Sequence, residues 1–247
     1  MITIVRSASL GMAHSGGQLL RSHFAFADYQ DPHRAHEGRL RAVNLGTLAA
    51  GASYRIGPEA AVDIVTWLQS GTVAASMAGF SQEEIGAGAL HLMSTGTGCA
   101  TLDWTAGAKG ASFIQFWFLS DTEGTAPLQD SRPSFSNLED GGFRIIASGF
   151  PEDDPEDDPE DEEAFADGAP VALSASARLL HAAIPAGEGA AYGTMPGRAL
   201  YLVVVSGTIR IGKDVLSAGD AAAISESADL TVIADDAAVV LLADVAG

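Results

Sequence analysis

Histidines are the side chains in this sequence best suited to bind a metal ion or to move a proton near neutral pH. His33 and His36 are three residues apart, a spacing that can bring two metal ligands together on a helix. Pro32 and its loop-like surroundings instead favour surface histidines. His91 lies on an apolar strand predicted over Leu90–Met93, where a single histidine is more often a hydrogen-bonded core residue than a ligand. The histidines alone therefore predict no metal centre.

The motifs for covalent catalysis and for phosphate binding are also missing. No Gly-x-Ser-x-Gly turn occurs, and no cysteine and histidine are paired by their spacing, so the sequence offers no nucleophile for hydrolysis. Gly96-Thr97-Gly98 resembles a phosphate loop only in its glycines, because no Lys-Ser or Lys-Thr and no helix start follows it. We interpret it as a turn of a β-barrel.

The charge of the chain argues against nucleic-acid binding. The 247 residues include 13 Lys and Arg and 32 Asp and Glu, a net charge of −19. Residues 151–163, PEDDPEDDPEDEE, contain ten acids and no base, which leaves −9 for the rest of the chain. Such a surface repels phosphate backbones, so we expect no direct binding to DNA or RNA. The acidic run has little to bury and is predicted to be a solvated loop or linker.

Cysteine usage and hydropathy indicate a cytoplasmic protein. Cys99 is the only cysteine, so the sequence allows neither an intramolecular disulfide nor a thiolate zinc cluster. The N-terminal residues lack a charged segment followed by a sustained apolar run, and no stretch reaches about 18 apolar residues. We therefore expect no signal peptide and no membrane span.

The elements that must position any site are repeated in the two halves. Leu68–Val73 reads LQSGTV and Val204–Ile209 reads VVSGTI. Downstream, Ala87–Ser94 reads AGALHLMS and Ala218–Ser225 reads AGDAAAIS. Each unit is a strand, a glycine turn and another strand, with glycine supplying a positive φ that larger residues resist. The repeat predicts an all-β protein with two small antiparallel barrels.

Strand patterns and the acidic run define the predicted domain organisation. The N-terminal domain spans 1–120, an interdomain segment that contains the acidic insert 151–163 spans 121–168, and the C-terminal domain spans 169–247. Few helices are expected. The strands predicted for the C-terminal half are Leu200–Val205, Thr208–Ile211, Ala221–Ser225, Leu230–Ala234 and Val239–Val245.

Five motifs are shared with a known family. Ser22–Pro32 reads SHFAFADYQDP and Leu40–Asn44 reads LRAVN, followed by DIVTW at Asp63–Trp67, MSTGTG at Met93–Gly98 and FIQFWFL at Phe113–Leu119. These motifs resemble those of pirins and pirin-like proteins over nearly the whole chain apart from the acidic insert. The resemblance implies an all-β bicupin fold, in which two antiparallel jelly-roll barrels pack together.

The same resemblance implies a mononuclear metal in the N-terminal barrel, held by three His and one Glu. Two of those ligands come from a His-Pro-His stretch in the family, where this chain has Gly57-Pro58-Glu59. The other two come from a His-x-Glu stretch, where this chain has Thr101-Leu102-Asp103. All three histidines are absent, so we expect poor binding of iron, nickel, copper or manganese, and no cofactor.

The positions matching the family ligands still define an expected cavity, formed by Gly57, Glu59, Thr101 and Asp103. Glu59 and Asp103 could place two carboxylates at its mouth, with Asp63 and His91 as additional cavity residues. Hard oxygen ligands of this kind suit magnesium, calcium or manganese, so the alternative to an empty site is a weakly bound divalent metal.

Three functions follow as hypotheses. The first is a small-molecule-binding or regulatory protein that holds an apolar or aromatic ligand or contacts a protein partner. The second is a quercetin 2,3-dioxygenase-like oxidoreductase with an altered metal site, since dioxygen chemistry normally needs a redox metal or an organic cofactor. The third is an isomerase or lyase that uses Glu59 or Asp103 as a general base. Loss of the family ligands favours the first.

Overall fold

The computed structural model describes residues 1–135, 141–153 and 170–247. Within these ranges the only helical elements are two 3-10 turns, Ser7–Ser9 and Pro151–Asp153. The first ten strands are β1 Ile2–Val5, β2 Gly11–Ser15, β3 Gln18–Ser22, β4 Leu40–Leu48, β5 Ser53–Ile56, β6 Val62–Met77, β7 Glu83–Gly86, β8 Leu90–Ser94, β9 Leu102–Leu119 and β10 Leu128–Arg132. The others are β11 Arg144–Ser148, β12 Val171–Ala172, β13 Ala177–Ile184, β14 Gly189–Gly193, β15 Arg198–Ser206, β16 Thr208–Ile211, β17 Asp214–Ser217, β18 Ala221–Ile224, β19 Asp229–Ala234 and β20 Ala238–Ala246. The predicted all-β bicupin fold is confirmed.

The N-terminal barrel is built on the long strands β6 and β9. Its nine-stranded sheet has the order β10-β8-β6-β9-β4-β3-β2, with β5 added to β9 and β7 added to β6. The two long strands pair antiparallel through bulges, and the sheet closes over an apolar interior that includes Phe113, Trp104 and Met77. This interior holds the site described below.

The glycines of the repeated Ser-Gly-Thr turns have the conformation that the repeat predicts. Gly71 has φ +77° and Gly207 has φ +78°. A Cβ at Gly71 would lie 2.0 Å from the carbonyl oxygen of Gly110, and one at Gly207 would lie 2.4 Å from that of Ala237. Both the positive φ and the close approach of a second strand therefore require glycine.

The C-terminal barrel combines a seven-stranded sheet, ordered β1-β18-β15-β20-β13-β11-β12, with a four-stranded sheet, ordered β14-β19-β16-β17. Its first strand comes from the other end of the chain, because Ile2 pairs with Ile224. Arg6 extends this contact through an ion pair with Asp220, at 2.8 Å. The predicted first domain, 1–120, thus includes a strand that belongs to the C-terminal sheet.

The predicted interdomain segment, 121–168, is divided between the two barrels. β10 pairs with β8 of the N-terminal barrel, and β11 pairs with β13 of the C-terminal one. The boundary at residues 168 and 169 and the acidic residues 154–163 lie outside the described residues. No helix in the described part of the chain is long and apolar enough to cross a membrane.

Each barrel has an apolar interior of its own, and a further apolar core lies between the two barrels. Phe116 and Phe118 enter this shared core, whereas Trp117 faces the interior of the N-terminal barrel, as the alternation of side chains along a strand requires. Tyr201 and Leu241 meet the shared core from the C-terminal side. Both faces of β9 are therefore buried.

Candidate functional site

Gly57 lies in the loop between β5 and β6. Its φ of +126° belongs to the region that favours glycine. A Cβ at this position would lie 2.5 Å from the carbonyl oxygen of Ala100. Any larger residue, histidine included, would therefore require the backbone to move.

Glu59 lies in the same loop, which is fixed by two backbone hydrogen bonds with Cys99, of 3.0 and 2.8 Å. Its side chain is half-buried, and this burial raises the pKa of the carboxyl group, while Arg41 opposes the rise. Burial, and to a lesser extent the Glu59 carboxylate, raise the pKa of Tyr54. Glu59 is thus a carboxylate at the edge of the barrel interior.

Asp103 points away from that interior. Its neighbours in β9, Leu102 and Trp104, are fully buried in the core, so strand alternation turns Asp103 to the outer face. There it accepts a hydrogen bond of 2.7 Å from Nε of the exposed Arg55 and one of 2.9 Å from the Thr105 hydroxyl. The structure does not support the expectation that Asp103 joins Glu59 at one cavity mouth, because the Asp103 carboxylate is paired with Arg55 on the outer face of the barrel. Half-buried Thr101 precedes Leu102.

Asp63 lies at the interface between the barrels. It is fully buried on β6 and accepts hydrogen bonds from the backbone N–H of Ser174, at 2.6 Å, and from the Ser174 hydroxyl, at 2.8 Å. Its alternation partners Val65 and Trp67 belong to the shared core. Asp63 therefore holds the two halves together and does not line the N-terminal interior, contrary to the expectation from the sequence.

His91 does face the N-terminal interior, on the same side of β8 as Met93. The ring is fully buried, and burial lowers its pKa from 6.5 to about 4, although Glu83 and Asp130 oppose the shift. Among the described residues, neither ring nitrogen has a hydrogen-bond partner. The histidine is a core residue, as its apolar strand predicts, but without the expected hydrogen bond.

A row of polar side chains crosses the interior wall beside His91. Asn44, Gln115, Thr66 and His91 are register partners on β4, β9, β6 and β8, and all four are fully or almost fully buried. Gln115 donates a hydrogen bond of 3.2 Å to the Thr66 hydroxyl and accepts one of 3.4 Å from Trp117. Neither amide atom of Asn44 has a partner within the described structure. We call these four residues the polar row.

A second row completes the lining on β5, β9, β6 and β7. Tyr54, Trp104, Ala75 and Glu83 are register partners, and the Tyr54 and Trp104 rings stack at 5.3 Å. The two rows meet where Nε2 of His91 lies 3.9 Å from Oε2 of Glu83. The Tyr54 hydroxyl and the Trp104 indole N–H are buried without a partner in the described part of the chain.

These unpaired atoms indicate what the interior can do chemically. A buried polar atom without a hydrogen bond costs about 1–3 kcal/mol, so native proteins normally satisfy such atoms with protein, water or ligand groups. Donors are available on Tyr54, Trp104 and Asn44, and acceptors on Asn44 and His91. These atoms could form hydrogen bonds with a buried water molecule or with a polar group of a small molecule.

Asn44, Thr66 and Gln115 were not among the residues singled out from the sequence. Each is a polar residue in an otherwise largely apolar strand, at a position whose alternation partners are buried. That pattern was a usable signal, but the pairing of three distant segments into one row depends on sheet register, which only the tertiary structure supplies.

Comparison with known proteins identifies the family. Residues 6–118 match the family model described as Pirin, and residues 165–245 match the one described as Quercetinase C-terminal cupin domain. Putative quercetin 2,3-dioxygenase PA1210 of Pseudomonas aeruginosa is 32% identical over 237 residues, 96% of each chain. Pirin-like protein of Caulobacter vibrioides is 29% identical over 243 residues, again 96% of each chain.

Solved structures share the fold of this chain. YhhW from Escherichia coli has a TM-score of 0.85 at 23% identity, over 99% of this chain and 97% of that chain. A second structure of bacterial pirin YhhW, in complex with nickel(II), has a TM-score of 0.83 at 22% identity, over 100% and 99% of the two chains. The chain, with its two cupin barrels, belongs to the pirin family.

Proposed function

We propose that this pirin is a small-molecule-binding or regulatory protein whose N-terminal barrel no longer holds the family's metal. The observation that carries the proposal is the ion pair of Asp103 with Arg55 on the outer face of the barrel. This pairing commits one of the two carboxylates at the ligand positions to an arginine. We expect the protein to act in the cytoplasm, which its free, buried Cys99 supports.

The other ligand positions do not fit a three-histidine, one-glutamate centre either. Gly57 has no donor atom in its side chain, and Thr101 offers only a neutral hydroxyl. Glu59 alone is left as an anionic donor. In the described ranges, no three His, Cys, Asp or Glu side chains lie close enough together to hold a metal ion. The donor set thus argues against tight binding of a transition metal.

The polar row supports a binding role for the same barrel. A ligand with an aromatic face could pack against Tyr54 and Trp104, while its polar groups paired with Asn44 and His91. Binding of this kind requires no bound metal. Alternatively, the protein could exert a regulatory role by binding a protein partner. We expect it to bind neither nucleic acid nor a membrane.

A quercetin 2,3-dioxygenase-like activity is the second candidate, because relatives in Pseudomonas aeruginosa and Zymomonas mobilis are named putative quercetin 2,3-dioxygenases. It would require a divalent metal held weakly through Glu59. The isomerase or lyase hypothesis is a separate, non-redox candidate, for which the half-buried Glu59 carboxylate, with its raised pKa, could act as a general base.

Quercetin incubated with the protein under air separates the two candidates. We expect the flavonoid absorbance to persist with or without added iron, copper, nickel or manganese, since the barrel lacks nitrogen ligands to hold these metals. Metal-dependent loss of absorbance that Glu59→Ala abolishes, and that the exposed control Glu226→Ala leaves intact, would instead support the dioxygenase.

A further inference from the structure

Two arginines lie at one end of the C-terminal barrel interior. Arg178 on β13 and Arg198 on β15 each precede, by two residues, a leucine of the apolar interior, Leu180 or Leu200. Their side chains are only 12% and 13% exposed. Two largely buried guanidinium groups need anionic partners.

The barrel itself supplies one carboxylate for the two arginines. Asp244 on β20 is fully buried and accepts hydrogen bonds from the Tyr192 hydroxyl, at 2.7 Å, and the Thr194 hydroxyl, at 2.9 Å. It lies 3.9 Å from Nη1 of Arg178 and 3.5 Å from Nη1 of Arg198. The barrel wall therefore carries one positive charge in excess at this end.

A short segment of the chain, Phe150–Asp153, brings two further carboxylates, those of Glu152 and Asp153, to the arginines. Asp153 accepts two hydrogen bonds from Arg178, and the one from Nη2 to Oδ1 measures 2.8 Å. One oxygen of Glu152 bridges the arginines, at 3.2 Å from Nη2 of Arg178 and 2.9 Å from Nη2 of Arg198. The Phe150 ring lies under the arginines, with its centroid 3.6 Å from Cζ of Arg198 and 5.1 Å from Cζ of Arg178.

Through these contacts the two arginines bind an aromatic ring and carboxylates at the same time. Arginine forks bind carboxylates through paired hydrogen bonds, and guanidinium planes stack on aromatic faces. Ser148 also contacts the segment, because its hydroxyl donates a hydrogen bond to the Asp153 carboxylate and accepts one of 3.1 Å from the backbone N–H of Phe150. Within the described structure, Nη1 of Arg198 makes no hydrogen bond, although it lies 3.5 Å from the Asp244 carboxylate.

We propose that Arg178 and Arg198 form a binding site for a small aromatic carboxylate at the mouth of the C-terminal barrel, and that Phe150–Asp153 is a tethered occupant which such a ligand displaces. The site lies in the other barrel from the polar row, so it stands or falls independently of the function proposed above.

Calorimetric titration of the full chain with benzoate tests this site. The variant F150A/E152A/D153A removes the tethered ring and both carboxylates, and we expect it to bind benzoate roughly tenfold or more tighter than the unmodified protein. Adding R198Q to this variant should abolish binding. Benzamide, which keeps the ring but has no charge, should not bind.

Matched controls keep the result decisive. D157N/D158N removes two charges from the same acidic run and should bind benzoate no better than the unmodified chain. If the triple variant does not fold, the isosteric variant E152Q/D153N replaces it, and benzoate should raise its melting temperature more than that of the unmodified protein. A folded variant that gains no affinity for benzoate, or an unmodified protein that binds it equally well, would overturn the proposal.

Discussion

Acidification from pH 6.5 to 4 is expected to destabilise the protein strongly, because three buried histidines are held neutral. Burial lowers the pKa of His23 to about 3 and those of His91 and His181 to about 4. Below pH 6.5 the unfolded chain takes up protons at these positions that the folded chain does not, so stability is lost as the pH falls. A lowering of the pKa from 6.5 to about 4 corresponds to about 3 kcal/mol of folding stability for one histidine.

Denaturant unfolding between pH 8 and pH 4 measures this effect. The free energy of unfolding should fall as the pH is lowered, with a slope that corresponds to the uptake of up to three protons on unfolding. His91→Gln should reduce that uptake by one proton. His14→Gln, at an exposed position, is the matched control and should leave the slope unchanged. Carboxyl groups with lowered pKa, such as that of Asp220, act in the same direction but below about pH 4. A stability that stays constant down to pH 4.5 would contradict the neutral, buried histidines.

Asp63→Ala is expected to lower the free energy of unfolding by about 3 kcal/mol. The substitution leaves the N–H and the hydroxyl of Ser174 without their acceptor at a buried interface, and hydrogen bonds to a charged group are worth about 1.5–3 kcal/mol each. For a chain of this size the melting temperature should fall by roughly 10 °C.

Ser174→Ala provides the comparison for Asp63→Ala. It removes only the hydroxyl bond and keeps the 2.6 Å bond from the backbone N–H, so it should cost about half as much. An unchanged melting temperature in Asp63→Ala would mean that the carboxylate does not hold the barrels together. Equal losses in the two variants would mean that the backbone hydrogen bond contributes nothing.

The fold was largely predictable because its signals are local. The predicted strand Thr208–Ile211 matches β16, and four further predicted strands differ from β15, β18, β19 and β20 by one or two residues at their ends. Phe116 and Trp117, which are adjacent in the sequence, lie on opposite faces of β9. Both results follow from the two-residue period of a strand, which a sequence displays directly.

Long-range pairing could not be predicted in the same way. Ile2–Val5 reads as an apolar strand, but nothing nearby in the sequence indicates that it completes the sheet beside β18, more than 200 residues away. The short strands β14 and β17 were also missed, because GAAYG and DVLS carry little strand signal of their own. Their pairing with β19 and β16 stabilises them.

The sequence indicated which residues occupy the positions of the family's metal ligands, but not the direction of their side chains or their contacts. Motif comparison pointed to Glu59 and Asp103, yet the direction of Asp103 depends on which face of β9 fills the barrel, and Trp104 takes that face. Asp63 was assigned to the cavity, although its acceptor role toward Ser174 arises only when the two barrels meet. Such roles depend on tertiary contacts that a single sequence does not display.

Metal analysis of the protein after purification without chelators tests the proposed loss of the metal site most directly. The residues at the family's ligand positions offer one half-buried carboxylate, that of Glu59, and no imidazole. We predict iron, nickel, copper and manganese contents far below one ion per chain, and unchanged contents in Glu59→Ala. Near-stoichiometric metal that is lost in Glu59→Ala would contradict the proposed loss of the metal site.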